Sequence, residues 1–507
     1  MRQLTSLDAQ FLAVESGRVY GHVGSLCTYD PSTAPGGELT IDDICRMVAE
    51  RLHLLPPFRW KLVDVPFGVD LPYWIEDPDF DLDFHIRESA IPPGGDWRRK
   101  LAETVSRIFA RPLDRAHPLW ELYLIHGLPD GRVALLTKVH HAVVDGVSGN
   151  EILTVLLDPA PEGRELPPRP EGFGCGERRP GDLEMLGRGL LGVPRQPLRA
   201  LRALPKTLPA ITEIPGANAL PLVPRVSKAL SRVRALAGAP SSPDILEITS
   251  ARAPRTSFNG RVSPHRSFAF GSLPLPAVKA IKNAMGITVN DVVVTLCATA
   301  VRRWLHERDE LPREPLVAMV PVSVRTPSHA GTFGNRISAM IVPIPTNVAD
   351  PRRRLQRAHE LLRGAKANHA ALPADLLTDA TSFIPPAVAA LASRTVTDLL
   401  GRTRPPLNLV ISNVPGPREP LYCAGALLEA TYPVSVVVDG VGLNITVMSY
   451  RDHLDFGIVA DRGQIPDAWP FMDHLREALD ELDAVMPRAG RTVTRRRPTR
   501  SGLVAPA

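Results

Sequence analysis

Between Ile41 and Leu55, and again between Trp97 and Ala110, apolar residues recur every three or four positions, the spacing that gathers them on one face of an α-helix. Elsewhere the apolar runs are shorter and unbroken. Leu122-Tyr-Leu-Ile125 and Val133-Ala-Leu-Leu-Thr-Lys-Val139 are too brief for helices and rich in aliphatic side chains, so they predict buried strands. Ser148-Gly-Asn-Glu151 then has the spacing of a capping box, predicting a helix that carries Ile152, Leu153, Val155, Leu156 and Leu157. Residues 1–157 thus read as one mixed domain. From 158 to 255 the pattern breaks: prolines recur every few residues, as in Leu166-Pro-Pro-Arg-Pro170 and Leu220-Pro-Leu-Val-Pro224, which predicts a linker with short helices. A second ordered domain is expected over 256–487, and 488–507, with Arg495-Arg-Arg497, reads as a disordered basic tail.

The chain has 507 residues, 44% of them apolar, which exceeds what one core usually holds and agrees with two domains. Its net charge of +5 comes from Arg far more than Lys and is spread along the chain, pointing to an anionic partner such as a phospholipid surface or a phosphate-bearing substrate. Nucleic acid is disfavoured, because no basic run is interleaved with aromatics and aromatic content is 5%. The cysteines, Cys27, Cys45, Cys175, Cys297 and Cys423, are odd in number and widely spaced, which predicts free thiols in a reducing cytoplasm. The opening MRQLTSLDAQFLAVESG lacks the apolar core of a secretion signal. No apolar run approaches the roughly 18 to 20 residues of a membrane span, so any membrane contact is expected to be peripheral.

His140-His141-Ala142-Val143-Val144-Asp145-Gly146 lies on the turn between the last predicted strand and the helix after it. Such turns hold reactive side chains rigidly yet accessibly, and Gly146 suits a bend or a close backbone approach. A histidine can take a proton from a hydroxyl and return it to a leaving group if its tautomer and ring angle are fixed. Asp145 has the chemistry to do that fixing, and equally to pair with an arginine and hold the turn; Arg325 is a candidate partner by residue type. The plainer alternative is that both histidines are packed polar residues. Metal binding is disfavoured, since neighbours on an extended chain point opposite ways and no His-Glu-x-x-His or cysteine cluster completes a ligand set. No Gly-x-Ser-x-Gly elbow, Walker loop or Gly-x-Gly-x-x-Gly is present.

The heptapeptide resembles the His-His-x-x-x-Asp-Gly motif of the bacterial wax ester synthase/diacylglycerol acyltransferase family, within the chloramphenicol acetyltransferase-like CoA-dependent acyltransferases. Further segments are similar to family motifs in the family's order: Ser6-Leu-Asp-Ala-Gln-Phe-Leu12, His22-Val-Gly24, Phe80-Asp-Leu-Asp-Phe-His85, Pro118-Leu119-Trp120, Asn290-Asp291, Pro321-Val-Ser-Val-Arg325, Gly334-Asn335 and Ser412-Asn-Val-Pro-Gly-Pro417. The resemblance implies an α/β fold: a two-domain sandwich, each domain a mixed sheet flanked by helices, with a substrate channel between them.

It also implies an activity. A long-chain acyl group passes from acyl-CoA to the hydroxyl of diacylglycerol, with His141 as general base, no covalent acyl-enzyme and no resident cofactor. His140 is expected to shape the site and Asp145 to hold the loop. Pro118-Leu119-Trp120 reads as core packing or as substrate contact; Asp291, at N-cap spacing from Thr288, as a helix cap; Asn290 as a hydrogen-bond donor to the reacting groups or a structural residue. A long-chain alcohol acceptor, giving wax esters, is the alternative, and a condensation-type enzyme or a non-catalytic lipid-binding module comes after it. The Arg-dotted pieces between Met185 and Leu236 have the composition to rest on a bilayer or lipid inclusion. One departure concerns the acceptor: Gly21 precedes His22 where relatives often carry Met.

Overall fold

The computed structural model describes residues 1–68, 70–143, 149–174, 176–192, 253–323, 337–370 and 405–486. The first part of the chain supplies strands β1 (Arg2–Gln3), β2 (His22–Asp30), β3 (Trp60–Val63), β4 (Tyr73–Glu76), β5 (Ile86–Ala90), β6 (Trp120–His126) and β7 (Val133–His140). The second part supplies β8 (Arg266–Pro274), β9 (Leu316–Ser323), β10 (Ile337–Ile344), β11 (Leu409–Val414), β12 (Tyr422–Cys423), β13 (Ala426–Val434), β14 (Leu443–Tyr450) and β15 (His453–Asp461). Helices are α1 (Ser6–Val14), α2 (Ile41–Arg51), α3 (Leu82–His85), α4 (Trp97–Phe109), α5 (Gly149–Leu156), α6 (Asp182–Gly192), α7 (Leu275–Met285), α8 (Val289–His306), α9 (Pro351–Ala370) and α10 (Trp469–Val485).

The predicted strands and helices are present with small shifts. Both Val133–Val139 and Leu122–Ile125 fall inside strands, and α5 begins at Gly149, within the serine-led capping pattern that predicted it. The helix expected to reach Leu55 stops at Arg51 and tightens into a 3-10 turn over Leu52–Leu54. Pro56 explains this, because proline drives the preceding residue out of the helical region, and Leu55 has ψ 63°. Reciprocal capping boxes open α1 (Thr5 and Asp8), α2 (Thr40 and Asp43) and α8 (Thr288 and Asp291).

Two six-stranded mixed sheets dominate, ordered β12-β13-β2-β7-β6-β5 and β10-β9-β11-β14-β15-β8, beside a small β1-β4-β3 sheet. The two large sheets are not each drawn from one contiguous half of the chain. β13, from the second half, pairs antiparallel with β2 and so covers an edge that the first half leaves open. It also crosses the second sheet: Thr431 N donates to Asp455 Oδ2 at 2.9 Å, and a Cβ on Gly457 would lie 1.7 Å from the Pro433 carbonyl oxygen. One apolar cluster lies under each large sheet, and a third joins them through Leu101, Val105 and Phe109 of α4, Phe268 and Phe270 of β8, and Val434. The chain leaving α5 is pinned by Asp158, which pairs with Arg51 at 2.7 Å, both side chains buried, and exchanges backbone hydrogen bonds with Tyr422. Within the predicted linker, α6 docks Met185 against Val63, Val65 and Ile75, while 193–252 lies outside the described residues, as does the tail from 487. Cys27, Cys45, Cys297 and Cys423 are free thiols; Cys175 is outside the described residues. Among the described residues no single helix is long and apolar enough to cross a membrane.

Candidate active site

β7 is buried along its whole length and ends at His140, so the two histidines stand at a strand terminus, as the motif requires. Val139 and His140 sit against β2 and β6: His22 pairs with His140, Trp120 pairs with Val139, and His140 N donates to the Leu119 carbonyl at 2.9 Å. His141 N donates to the Gly21 carbonyl at 2.8 Å, which turns the chain out of the sheet. The His141 ring stacks on Phe11 of α1, with centroids 4.0 Å apart and planes 17° from parallel. The residue is half-buried, and Nδ1 is shut away from solvent. Burial, with the neighbouring His140 adding to it, lowers the His141 pKa to about 4 against the weaker pull of its own carbonyl and Asp8. The imidazole is therefore neutral at pH 7.

His140 is fixed through Nδ1 and has a carboxylate beside Nε2. Ala142 N donates to Nδ1 at 3.1 Å, so the neutral ring carries its proton on Nε2, which faces Glu15 Oε1 at 3.1 Å. Glu15 also accepts from Gly21 N at 2.8 Å and from Arg115 at 2.8 Å. Burial alone would raise the Glu15 carboxyl, but His140, Arg115 and the Gly21 amide together hold it down at about 2. Gly21 leaves room for the ring: a Cβ there would stand 2.7 Å from His140 Nε2, so a larger residue would have to displace it. His22, fully enclosed, is kept neutral mainly by burial and reaches the Phe109 carbonyl through Nε2 at 2.9 Å. The result is one neutral histidine on an aromatic shelf and a second beside a half-buried carboxylate.

The profile of the wax ester synthase/diacylglycerol acyltransferase catalytic domain matches residues 4–293, and that of the family's C-terminal domain matches 333–483. The chain belongs to this family. A probable diacylglycerol O-acyltransferase of Mycobacterium tuberculosis is 36% identical over 482 residues, 94% of this chain and 97% of the relative. The solved wax ester synthase/diacylglycerol acyltransferase from Marinobacter aquaeolei is 30% identical, with a TM-score of 0.64 over 96% of this chain and 99% of that one. A condensation domain of the CDA synthetase, 17% identical, superposes with a TM-score of 0.54 over 95% of this chain and 96% of its own, which shows the shared two-domain α/β fold.

Within this acyltransferase fold the predicted residues divide into two groups. Pro118, Leu119 and Trp120 are buried beside the histidines; Trp120 donates its indole N–H to the Phe58 carbonyl at 2.7 Å and stacks on Phe58 and His85, the behaviour of core packing. Asn290 and Asp291 open α8 in the other half. Asp291 completes the capping box and meets His359 Nδ1 at 2.9 Å, while Asn290 accepts from Asn413 at 3.2 Å, joining two segments read separately in the sequence. Among the described residues no hydrogen bond or ring contact links this pair to His140 or His141. Asp145, Gly146 and Arg325 lie outside the described residues. No group of three or more metal-ligating side chains gathers among the described residues. Sequence reading missed Glu15 and Phe11; the available signal was their place in the opening Ser6 to Leu12 segment and just beyond it, four residues apart on or beside one helix.

Proposed function

We propose that this acyltransferase moves a long-chain acyl group from acyl-CoA to the free hydroxyl of diacylglycerol, forming triacylglycerol, with His141 as the base. The neutral, aromatic-backed imidazole at the end of β7 carries the reading. With Nδ1 enclosed, Nε2 takes the hydroxyl proton as the oxygen attacks the thioester carbonyl. The resulting imidazolium protonates the departing CoA thiolate, so no acyl-enzyme forms. A positioned base of this kind supplies roughly 10²- to 10⁴-fold in rate. His140 serves as a positioning residue: tied to Glu15, it fixes the strand end from which His141 projects. Both lipid substrates favour reaction at a membrane or lipid-inclusion surface on the cytoplasmic side. Vesicle flotation of wild type against a variant with Arg199, Arg202 and Arg232 changed to Glu tests that placement.

CoA-thiol release by the purified protein, given palmitoyl-CoA with diolein or with hexadecanol and run beside His141→Ala, tests the function. We expect diolein-dependent release that His141→Ala reduces at least a hundredfold with an unchanged circular dichroism spectrum. Release that survives in the variant would remove His141 as base, and release with hexadecanol alone would replace triacylglycerol by wax ester as the product.

A further inference from the structure

Lysine is seldom buried outright, yet Lys138 of β7 is. Strand alternation puts it on the same face of β7 as His140, two residues further on. Its ammonium donates to Glu121 Oε2 at 3.2 Å and to the Arg111 carbonyl at 2.8 Å. Glu121, its cross-strand neighbour on β6, is buried as well, accepts from the Tyr123 hydroxyl at 2.9 Å and meets Arg87 of β5 at 3.3 Å. A ladder of charge thus crosses three strands and ends where α4 leaves off. Burial pulls the Lys138 ammonium below the ordinary lysine range, and Glu121 pulls it back. An ion pair taken out of water adds little net stability over an apolar pair of similar size, so stability alone does not account for this one.

The contact with α4 supplies another account. The last carbonyls of a helix have no partner within it and favour a cation beside them. At the exit of α4, β7 brings the Lys138 ammonium to the Arg111 carbonyl, and β2 brings His22 Nε2 to the Phe109 carbonyl at 2.9 Å. His22 faces His140 across these two strands and Gly24 faces Lys138, so both ties grip the same end of the strand pair. We propose that Lys138 is a positioning residue for acyl transfer: held between Glu121 and the Arg111 carbonyl, it ties the exit of α4 to the end of β7 and so fixes the strand terminus from which His141 projects. The proposal rests on the acyl-transfer reading and adds to it a residue that acts only through the strand. A reacting group misplaced by about 1 Å can lose roughly a hundredfold in rate, which is the scale on which such a tie matters.

The test compares wild type with Lys138→Met, with Lys138→Met/Glu121→Gln, which removes the stranded carboxylate along with the tie, and with Ile281→Ala, a core truncation in the other half of the fold. Each protein is measured for steady-state transfer from palmitoyl-CoA to diolein, for its urea midpoint, and for deuterium exchange of the backbone over residues 138–142, at a temperature where circular dichroism shows it folded. Lys138→Met should lower kcat by roughly tenfold to a hundredfold while both KM values stay within about twofold of wild type. The His140 and His141 amides, which donate to the Leu119 and Gly21 carbonyls, should exchange at least about tenfold faster. The double variant should regain much of the urea midpoint and keep the low kcat and the fast exchange; Ile281→Ala should lose stability with kcat unchanged. Should Lys138→Met not fold, the double variant carries the same comparison. Recovery of kcat together with stability in the double variant would overturn the proposal, as would an equal fall of kcat in Ile281→Ala or a rise in KM with kcat unchanged. Wild type inactive with these substrates would instead refute the acyl-transfer reading, and exchange over residues 138–142 would then judge the tie separately, an unchanged rate in the Lys138 variants overturning it.

Discussion

Replacing Phe11 by alanine should move the acid limb of the pH–rate profile. His141 has its pKa held at about 4 rather than 6.5, chiefly by burial, which corresponds to roughly 3 kcal/mol against the imidazolium. A base must be unprotonated to act, so activity is present above the folded-state pKa and lost as pH falls through it. At pH 5 a group with pKa 4 is about 90% neutral, whereas one with pKa 6.5 is only about 3% neutral. Wild-type kcat/KM should therefore stay near its plateau down to pH 5 and halve near pH 4. Phe11 covers one face of the ring at 4.0 Å. Removing it admits water to that face, reduces the desolvation that lowers the pKa, and should raise the acid midpoint by about one pH unit. The assay is CoA-thiol release across pH 3.5 to 8, with circular dichroism at each pH to detect acid unfolding. A wild-type midpoint near 6.5, or a Phe11→Ala midpoint that does not move, would refute the reasoning.

Three further outcomes are expected. Glu15→Gln should lose roughly 3 kcal/mol of stability at pH 7, the preference implied by a carboxyl held at about 2 instead of 4.5. Because the folded-state pKa is the lower one, this contribution is complete above about pH 4.5 and fades towards pH 2; urea midpoints for wild type and variant should converge over that range, and a constant gap would contradict it. Asp158→Ala strands Arg51 in the core and should cost about 3 to 5 kcal/mol in denaturant titration, whereas an indistinguishable midpoint would show that the pair is not load-carrying for the linker's exit. Gly24→Ala places a Cβ 1.8 Å from the Thr137 carbonyl oxygen, so β2 and β7 must separate beside the histidines; thermal melts should show a loss of more than about 2 kcal/mol, and a melt matching wild type would contradict the close approach.

The parts of the fold legible from sequence are those whose cause is local. β7 and α5 follow from apolar runs and a capping pattern, and the α8 cap from Thr288 and Asp291 three residues apart. What periodicity cannot show is pairing across hundreds of residues. β13 alternates like any half-buried strand, and nothing within Ala426–Val434 says that its partner is β2 rather than a neighbour in the second sheet. The same limit hid Glu15, a carboxylate just past a helix end whose importance comes wholly from Arg115 and His140, residues brought to it by the sheet.

Glycine, which carries no chemistry of its own, marks where those distant segments meet. At Gly21 the missing side chain admits the His140 ring, at Gly24 it lets β2 close on β7, and at Gly457 it lets β13 cross the second sheet. None of the three has a positive φ, so contact and not backbone angle calls for glycine at each. The first two lie within four positions of each other and flank His22, the residue facing His140. A larger residue at either would push β2 away from the strand that presents His141. At Gly21, where the sequence departs from relatives before His22, the missing side chain leaves room for the His140 ring, so the departure also bears on how the histidine pair packs.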